Sequence, residues 1–200
     1  MTDVSVDSAS SRYRIYGAEL SPYSVKVRSY FRFKQIPHQW IIRSTDTMDD
    51  FAKFAKLPII PLVVSPQLQG AQDSTLIIQH LESEHQKDSI YPQDTTVNFI
   101  STLLEEFGDE WGNKWMFHYR WARDIDQLAS ARRIAQLTQP DANAEQLDQL
   151  TEQVRLRMTG RVWFVGSNPE TAPQIEASLH LALKQLEVHL ESRAYLLGDR

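Results

Sequence analysis

A chain of 200 residues holds one large domain or two small ones, and 42% hydrophobic with 24% charged residues is the composition of an ordinary globular protein. Its 21 basic and 26 acidic residues leave a net charge of -5, which argues against a general nucleic-acid binder. The sequence has no cysteine; this excludes disulfides, Cys-ligated zinc, iron–sulfur clusters and a Cys nucleophile, and it fits a reducing compartment. No apolar run approaches the roughly 18 residues of a membrane span. The polar stretch from Met1 to Arg12, carrying Asp3 and Asp7, lacks the apolar core of a signal peptide, so the expected location is the cytoplasm with no membrane partner.

Up to Glu84 the pattern alternates between strand and helix periods. Tyr13 to Tyr16 reads as a short strand ended by Gly17. Ser21-Pro22 then opens a helix, because Ser is a good N-cap and Pro is pre-set for the first helical position. Val25, Val27, Tyr30 and Phe31 give this helix an apolar side, and Pro37 bounds it. His38 to Arg43 is a second strand, and Thr45 to Lys56 a short helix or ordered loop. Pro61 to Val64 is a third strand, with Gln67 to Gln72 as its hairpin partner around Gly70. Asp73 caps a further helix through Thr75, Ile78 and Leu81. The order β-α-β-(α)-β-β-α predicts a mixed four-stranded sheet with helices packed on it.

Ser89 to Thr96, with Pro92, reads as a linker between domains at 13–88 and 95–200, and the pattern beyond it is helical. Ile100, Leu104, Phe107, Trp111, Trp115 and His118 fall on one stripe of a single predicted helix. Gly108 and Gly112 within it each cost about 1 kcal/mol, so they are expected to permit close approach of a helix or ligand. Asp126 to Leu137 and Ala144 to Met158 are further helices, the second closed by Gly160. Thr171 and Gln174 have the spacing of a capping box, and the helix after them carries Ile175, Leu179, Leu183, Leu186 and Leu190 on one face. Glu106 and Glu110 have no companion ligands at metal spacing and read as a solvated face; no metal is expected.

A small α/β domain followed by an all-helical one resembles the glutathione S-transferases. The resemblance rests on Leu20-Ser-Pro-Tyr-Ser-Val-Lys-Val-Arg28, on Leu57 to Val64 with Ile60-Pro61, and on Gln72-Asp-Ser-Thr75. Asp109-Glu-Trp111, His118-Tyr-Arg-Trp121, Ile175-Glu-Ala-Ser178 and Tyr195-Leu-Leu-Gly198 are similar to a bacterial glutathione S-transferase-like subgroup. The resemblance implies a thioredoxin-like N-terminal domain, glutathione as co-substrate, a small electrophile as the second substrate and a homodimer. The missing Cys in the helix-1 motif departs from the family's thiol-using omega and beta types, and the similarity of Ser21-Pro-Tyr23 to the family's Ser-Pro-aromatic motif implies the serine type. The family's segment after Tyr195–Gly198 is normally followed by further helices, which implies a shortened helical domain and an apolar Leu face left exposed or covered by a partner chain.

Transferase chemistry needs the glutathione thiol as thiolate. A free thiol has a pKa of about 8.5, and lowering it by about two units takes about 2.7 kcal/mol of preferential thiolate stabilisation. A hydroxyl donor at a helix N-terminus supplies this, and the resemblance assigns that role to Ser21. Ser24 and Tyr23 are alternatives, and Tyr16 a weaker one because its strand position suits core packing. By the same resemblance Ile60-Pro61 is a cis pair whose Ile60 backbone faces the tripeptide, with Pro58 as competitor. Asp73 and Ser74 would hold the γ-glutamyl ammonium and carboxylate. The glycyl carboxylate would take Lys56 or, second, Arg43. Tyr23, Trp111, Trp115 and His118 are the expected lining of the electrophile pocket, although aromatic stripes at helical spacing are commonly core. The competing reading is a binding or interaction protein on the same fold with little turnover.

Overall fold

The computed structural model describes residues 12–197, so most of the polar N-terminal stretch and Gly198 to Arg200 lie outside the described residues. The chain divides into two compact units. The first runs up to Ser89 and includes Gln136–Ala142; the second comprises Ile90–Ala135 and the chain from Asn143 onward.

The first unit is a thioredoxin-like domain. Strands β1 (Tyr13–Gly17), β2 (His38–Ile42), β3 (Leu62–Val64) and β4 (Gly70–Gln72) form one sheet in the order β2-β1-β3-β4. β1 pairs parallel with β2 and antiparallel with β3, and β3 pairs antiparallel with β4. A parallel neighbour demands a crossover, and helix α1 (Pro22–Phe33) supplies it. Side chains alternate across the pleat. Ile15 and Val63 therefore join Val27, Tyr30 and Phe31 of α1 and Ile77, Ile78 and Leu81 of α3 (Ser74–Glu84). Tyr16, Leu62 and Val64 turn the other way, onto Phe51 of the short helix α2 (Met48–Ala52).

A buried polar group crosses the first of these cores. Lys34 Nζ lies 2.7 Å from Glu82 Oε1, with both side chains at most 5% exposed. Tyr30 Oη donates to Glu82 Oε1 at 2.8 Å, Ser89 Oγ donates to Oε2 at 2.8 Å, and Lys34 Nζ also donates to the Lys87 and Asp88 carbonyls. Burial alone would raise the Glu82 carboxyl. The hydrogen bonds from Lys34, Tyr30 and Ser89, with the charge of Lys34, outweigh it and hold the group below the usual carboxylate range.

The second unit is helical. It contains α4 (Thr95–Phe107), a π-helical turn (Gly108–Gly112), α5 (Asn113–Trp121), α7 (Ala144–Thr159), a 3₁₀ turn (Val162–Val165) and α8 (Ala172–Leu190). Helix α6 (Asp124–Thr138) contributes residues up to Ala135. Trp121, Ala131 and Val154 form its core, with Phe117, Ile134, Met158 and Val162 against them. Three expectations are corrected here. The predicted single helix through Trp111 is broken by the π-helical turn, whose i→i+5 bonding re-phases everything after it. No atom lies within 4 Å of a Cβ built at Gly108, and only ordinary contacts surround one at Gly112, so among the described residues no other helix approaches either glycine closely. Thr171 does not cap α8 with its side chain; its hydroxyl donates to Gly166 O at 2.6 Å, and Asn168 Oδ1 takes the Glu170 and Thr171 N–H groups.

A capping box absent from the sequence reading opens α7, where Asn143 and Gln146 satisfy each other's backbone N–H groups. Helix α8 has no buried residue, and Leu183, Leu186 and Leu190 on its Leu face are exposed, as is Leu196. Phe99, Leu103 and Phe107 of α4 are exposed too. Among the described residues no helix is long and apolar enough to cross a membrane.

Replacing Glu82 by Gln leaves the Lys34 ammonium buried without its counter-charge. The variant should lose about 3 kcal/mol of stability at neutral pH, read by urea denaturation. Because the folded carboxyl is held low, its stabilisation is complete above the unfolded pKa of about 4.3 and is lost as pH falls below that value. The gap between wild type and Glu82→Gln should therefore narrow on acidification below about pH 4.

Candidate functional site

The residues singled out in the first unit gather at the ends of its elements. Ser21 is the N-cap of α1: its Oγ accepts from Ser24 N at 3.2 Å, and Pro22 takes the first helical position. Accepting leaves the hydroxyl proton available for donation. Ser24, one turn in, is fully buried, and its Oγ has no hydrogen-bond partner among the described residues. Tyr23 lies half-buried in the first turn of α1.

Tyr16 is placed against the thiolate role. It is fully buried, its hydroxyl hydrogen-bonds Asp50 Oδ2, and Arg14 Nη1 donates to it at 3.1 Å. Burial and the Asp50 hydrogen bond push its pKa up to about 12, with Arg14 opposing. A tyrosine that supports a thiolate needs its acidity raised, and this one has it lowered.

The peptide bond between Ile60 and Pro61 is cis. Pro61 is buried at the head of β3, Ile60 is half-buried, and Pro58 is exposed. Asp73 is the N-cap of α3: its Oδ1 accepts from Thr75 N at 3.0 Å and Leu76 N at 3.2 Å. Its φ is 77°, a left-handed backbone that costs a residue with a side chain roughly 1–3 kcal/mol and recurs at binding sites. Ser74 follows it, buried, in the first position of the helix. Asp73 itself takes the Thr75 and Leu76 N–H groups, so the α3 N-terminus presents a hydroxyl and a carboxylate within one turn, groups able to pair with the carboxylate and ammonium of an α-amino acid.

Lys56 has an exposed side chain, while its backbone N–H donates to Gln72 Oε1. Arg43, the second cation considered, stacks over the Phe51 ring at 4.8 Å, and burial lowers its pKa. Two residues to which the sequence reading gave no role also stand here. Lys26 of α1 reaches Thr75 Oγ1 at 3.4 Å, and the Gln72 side chain makes four hydrogen bonds to the segment before Ile60. Neither shows in a local pattern, since their partners lie 13 to 49 residues away.

The second unit carries an apolar cleft of about 480 Å³ within itself. Phe107, Trp111 and Trp115 line it together with Ile175, Leu181 and Ala182 of α8. The Phe107 and Trp115 rings meet edge to face at 5.4 Å, and Trp115 Nε1 donates to Ser178 Oγ at 2.7 Å. Trp111 stays 57% exposed, with Lys114 Nζ 4.1 Å from its ring centroid. His118 does not join them. It is 1% exposed inside the unit, with Nδ1 2.8 Å from Ser167 Oγ and Nε2 3.4 Å from Glu176 Oε1. A buried imidazole needs partners at both nitrogens, and the π-helical turn sets it at a phase that finds them. Hydrogen bonds from Arg123 and His118 in turn hold Glu176 below the usual carboxylate range. Among the described residues no group of three His, Cys, Asp or Glu could hold a metal.

Removing the Trp111 side chain should change stability by less than about 0.5 kcal/mol, whereas Trp115→Ala should lose about 2 kcal/mol. Urea denaturation of the two variants checks this. Equal losses would mean that both rings serve the core.

Comparison with known proteins agrees with this architecture. Residues 15–89 match the family model of the glutathione S-transferase N-terminal domain. No curated protein matches the sequence. The β-etherase LigF from Sphingobium sp. strain SYK-6 is 18% identical, with a TM-score of 0.64 over 92% of this chain and 76% of its own. A glutathione S-transferase from Rhodospirillum rubrum is 17% identical, with a TM-score of 0.59 over 94% of this chain and 70% of its own. One from Methylobacterium radiotolerans, in complex with glutathione sulfonate, is 19% identical, with a TM-score of 0.55 over 94% and 72%. At these identities the likeness shows the fold: a thioredoxin-like domain with a four-stranded mixed sheet, followed by a helical region.

Proposed function

We propose that this protein is a serine-type glutathione transferase that binds glutathione in its thioredoxin-like unit and raises the thiolate fraction of the bound thiol for attack on a small electrophile. The observation that carries this reading is the α3 N-terminus, where Asp73 in a left-handed conformation and the buried Ser74 stand beside the cis Ile60–Pro61 segment in sheet register. The Ile60 backbone would pair with the extended peptide, Asp73 with the γ-glutamyl ammonium, Ser74 with its carboxylate and Lys56 with the glycyl carboxylate. Ser21 would donate to sulfur. The crystallised relative named as a complex with glutathione sulfonate supports this choice of ligand. The apolar electrophile is assigned to the cleft walled by Trp111 and Trp115. Residues 13–88 would form the glutathione domain, the helical domain would start at 95, and the active form would be a homodimer.

The chemistry is nucleophilic addition or substitution. The thiol proton leaves to solvent and sulfur forms the bond to the electrophilic carbon; in substitution that carbon's leaving group departs with its electron pair, and in addition the π pair shifts onto the far atom, which takes a proton from solvent. Ser21 acts only by stabilising the sulfur anion before and during attack.

A second reading is a binding protein of this fold with little turnover. The exposed leucines of α8 favour it, since such a face suits a partner protein. Turnover with a model electrophile separates the two.

Asp73 serves both cap and ligand in this reading, so Asp73→Asn is the discriminating variant. Asn caps as well as Asp, and stability should hold within about 0.5 kcal/mol. Glutathione affinity should fall by roughly 1.5–3 kcal/mol for loss of a charged hydrogen bond, measured by calorimetry. Unchanged affinity would place the ammonium elsewhere.

Ser21→Ala should lower turnover on the order of 10²-fold, by analogy with loss of one oxyanion donor, and move the alkaline rise of the pH–rate profile upward. Glutathione affinity should stay near wild type, and the helix should lose about 1 kcal/mol of capping. Full turnover with an unshifted profile would remove Ser21 from the chemistry and leave Tyr23 as the next hydroxyl to test.

A further inference from the structure

Residues Lys56 to Ile59, between α2 and β3, belong to no helix or strand. Four of their backbone polar groups are met by a single side chain. Gln72 Oε1 accepts from Lys56 N at 2.9 Å and Leu57 N at 3.0 Å, and Gln72 Nε2 donates to Leu57 O at 2.8 Å and Ile59 O at 2.8 Å. The amide is saturated: both lone-pair sites of the oxygen and both hydrogens of the nitrogen are used. Two N–H groups on one side and two carbonyls on the other also fix which way the amide is turned.

The position of Gln72 makes this more than support for a loop. Its backbone ends β4 opposite Leu62 in the ladder, and Asp73 and Ser74 of the α3 N-terminus follow it directly. The segment that its side chain grips ends at Ile59, immediately before the cis Ile60–Pro61 pair. One residue therefore joins the two backbone segments that flank the proposed tripeptide site. We infer that Gln72 is a positioning residue for peptide binding: its amide holds the Ile60 backbone edge and Lys56 in fixed register with the α3 N-terminus, so that an extended γ-glutamyl tripeptide meets both at once. A site built before the ligand arrives loses less ordering entropy on binding. This inference rests on the glutathione reading above.

The amide has no equivalent replacement. Methionine keeps the length but offers no donor or acceptor of comparable strength. Glutamate accepts from Lys56 and Leu57, yet when ionised it faces the Leu57 and Ile59 carbonyls with like partial charge. Protonated, it regains one donor.

The test is calorimetric titration of the full chain with S-methylglutathione, which has no thiol to titrate, at about pH 7.5 and about pH 5. It uses wild type, Gln72→Met and Gln72→Glu, with amide hydrogen exchange at Lys56 and Leu57 measured in each. The wild type, run at both pH values, accounts for any titration of the neighbouring Lys56 and Asp73. Gln72→Met should bind about tenfold more weakly at both pH values and exchange faster at Lys56 and Leu57. Gln72→Glu should be as weak at about pH 7.5 and recover several-fold at about pH 5, where its carboxyl protonates against the two carbonyls. A passive structural role would give no such pH-dependent rescue. Wild-type affinity in Gln72→Met, or a pH-independent deficit in Gln72→Glu, overturns the inference alone. If Gln72→Met does not fold, the Gln72→Glu pH response decides. Absence of binding by wild type overturns the glutathione reading and this inference with it.

Discussion

Backbone that leaves a helix and does not yet belong to a strand must still satisfy its polar groups, and between α2 and β3 four of them fall to one amide. The Gln72 side chain takes two N–H groups and two carbonyls from Lys56 to Ile59. Water could satisfy those groups but would not fix their place. A side chain anchored in the β3–β4 ladder does, and the same ladder fixes where α3 starts. The register of Leu62 with Gln72 thus determines how far the cis Ile60–Pro61 segment lies from Asp73 and Ser74, which is the distance that any extended peptide bound between them must span.

Local chemistry explains why the helix starts were legible in sequence. Ser21-Pro22 and Asp73 announce α1 and α3 through capping preferences that act within three residues, and the structure has them as N-caps. Tyr13 to Tyr16 likewise reads as a strand, and in the structure its Ile15 and Tyr16 face different cores. The left-handed backbone of Asp73 was not. Asp tolerates a positive φ better than most residues, but nothing in its neighbours signals one.

What the sequence hid has a common cause in partners distant along the chain. Gln72 acts on residues 13 to 16 positions earlier, and Lys26 on a residue 49 positions later. The π-helical turn at Gly108–Gly112 defeats periodicity outright, because a stripe counted at 3.6 residues runs straight through it and puts His118 on the wrong face. His118 is settled instead by the need of a buried imidazole for two partners, found in Ser167 and Glu176. Thr171 and Gln174 have the spacing of a capping box, but Asn168 takes the Thr171 N–H that the Gln174 side chain would accept from, and the Thr171 hydroxyl turns to Gly166 O.

The central claim is that glutathione binds along the Ile60 edge and into the α3 N-terminus. The most direct measurement is a ¹H–¹⁵N NMR titration of the intact chain with reduced glutathione. The account predicts saturable shifts centred on the amides of Ile60, Asp73, Ser74 and Thr75, with the Trp163 and Phe164 amides of the helical unit unmoved. Shifts confined to the helical unit, or none at saturating glutathione, would contradict it.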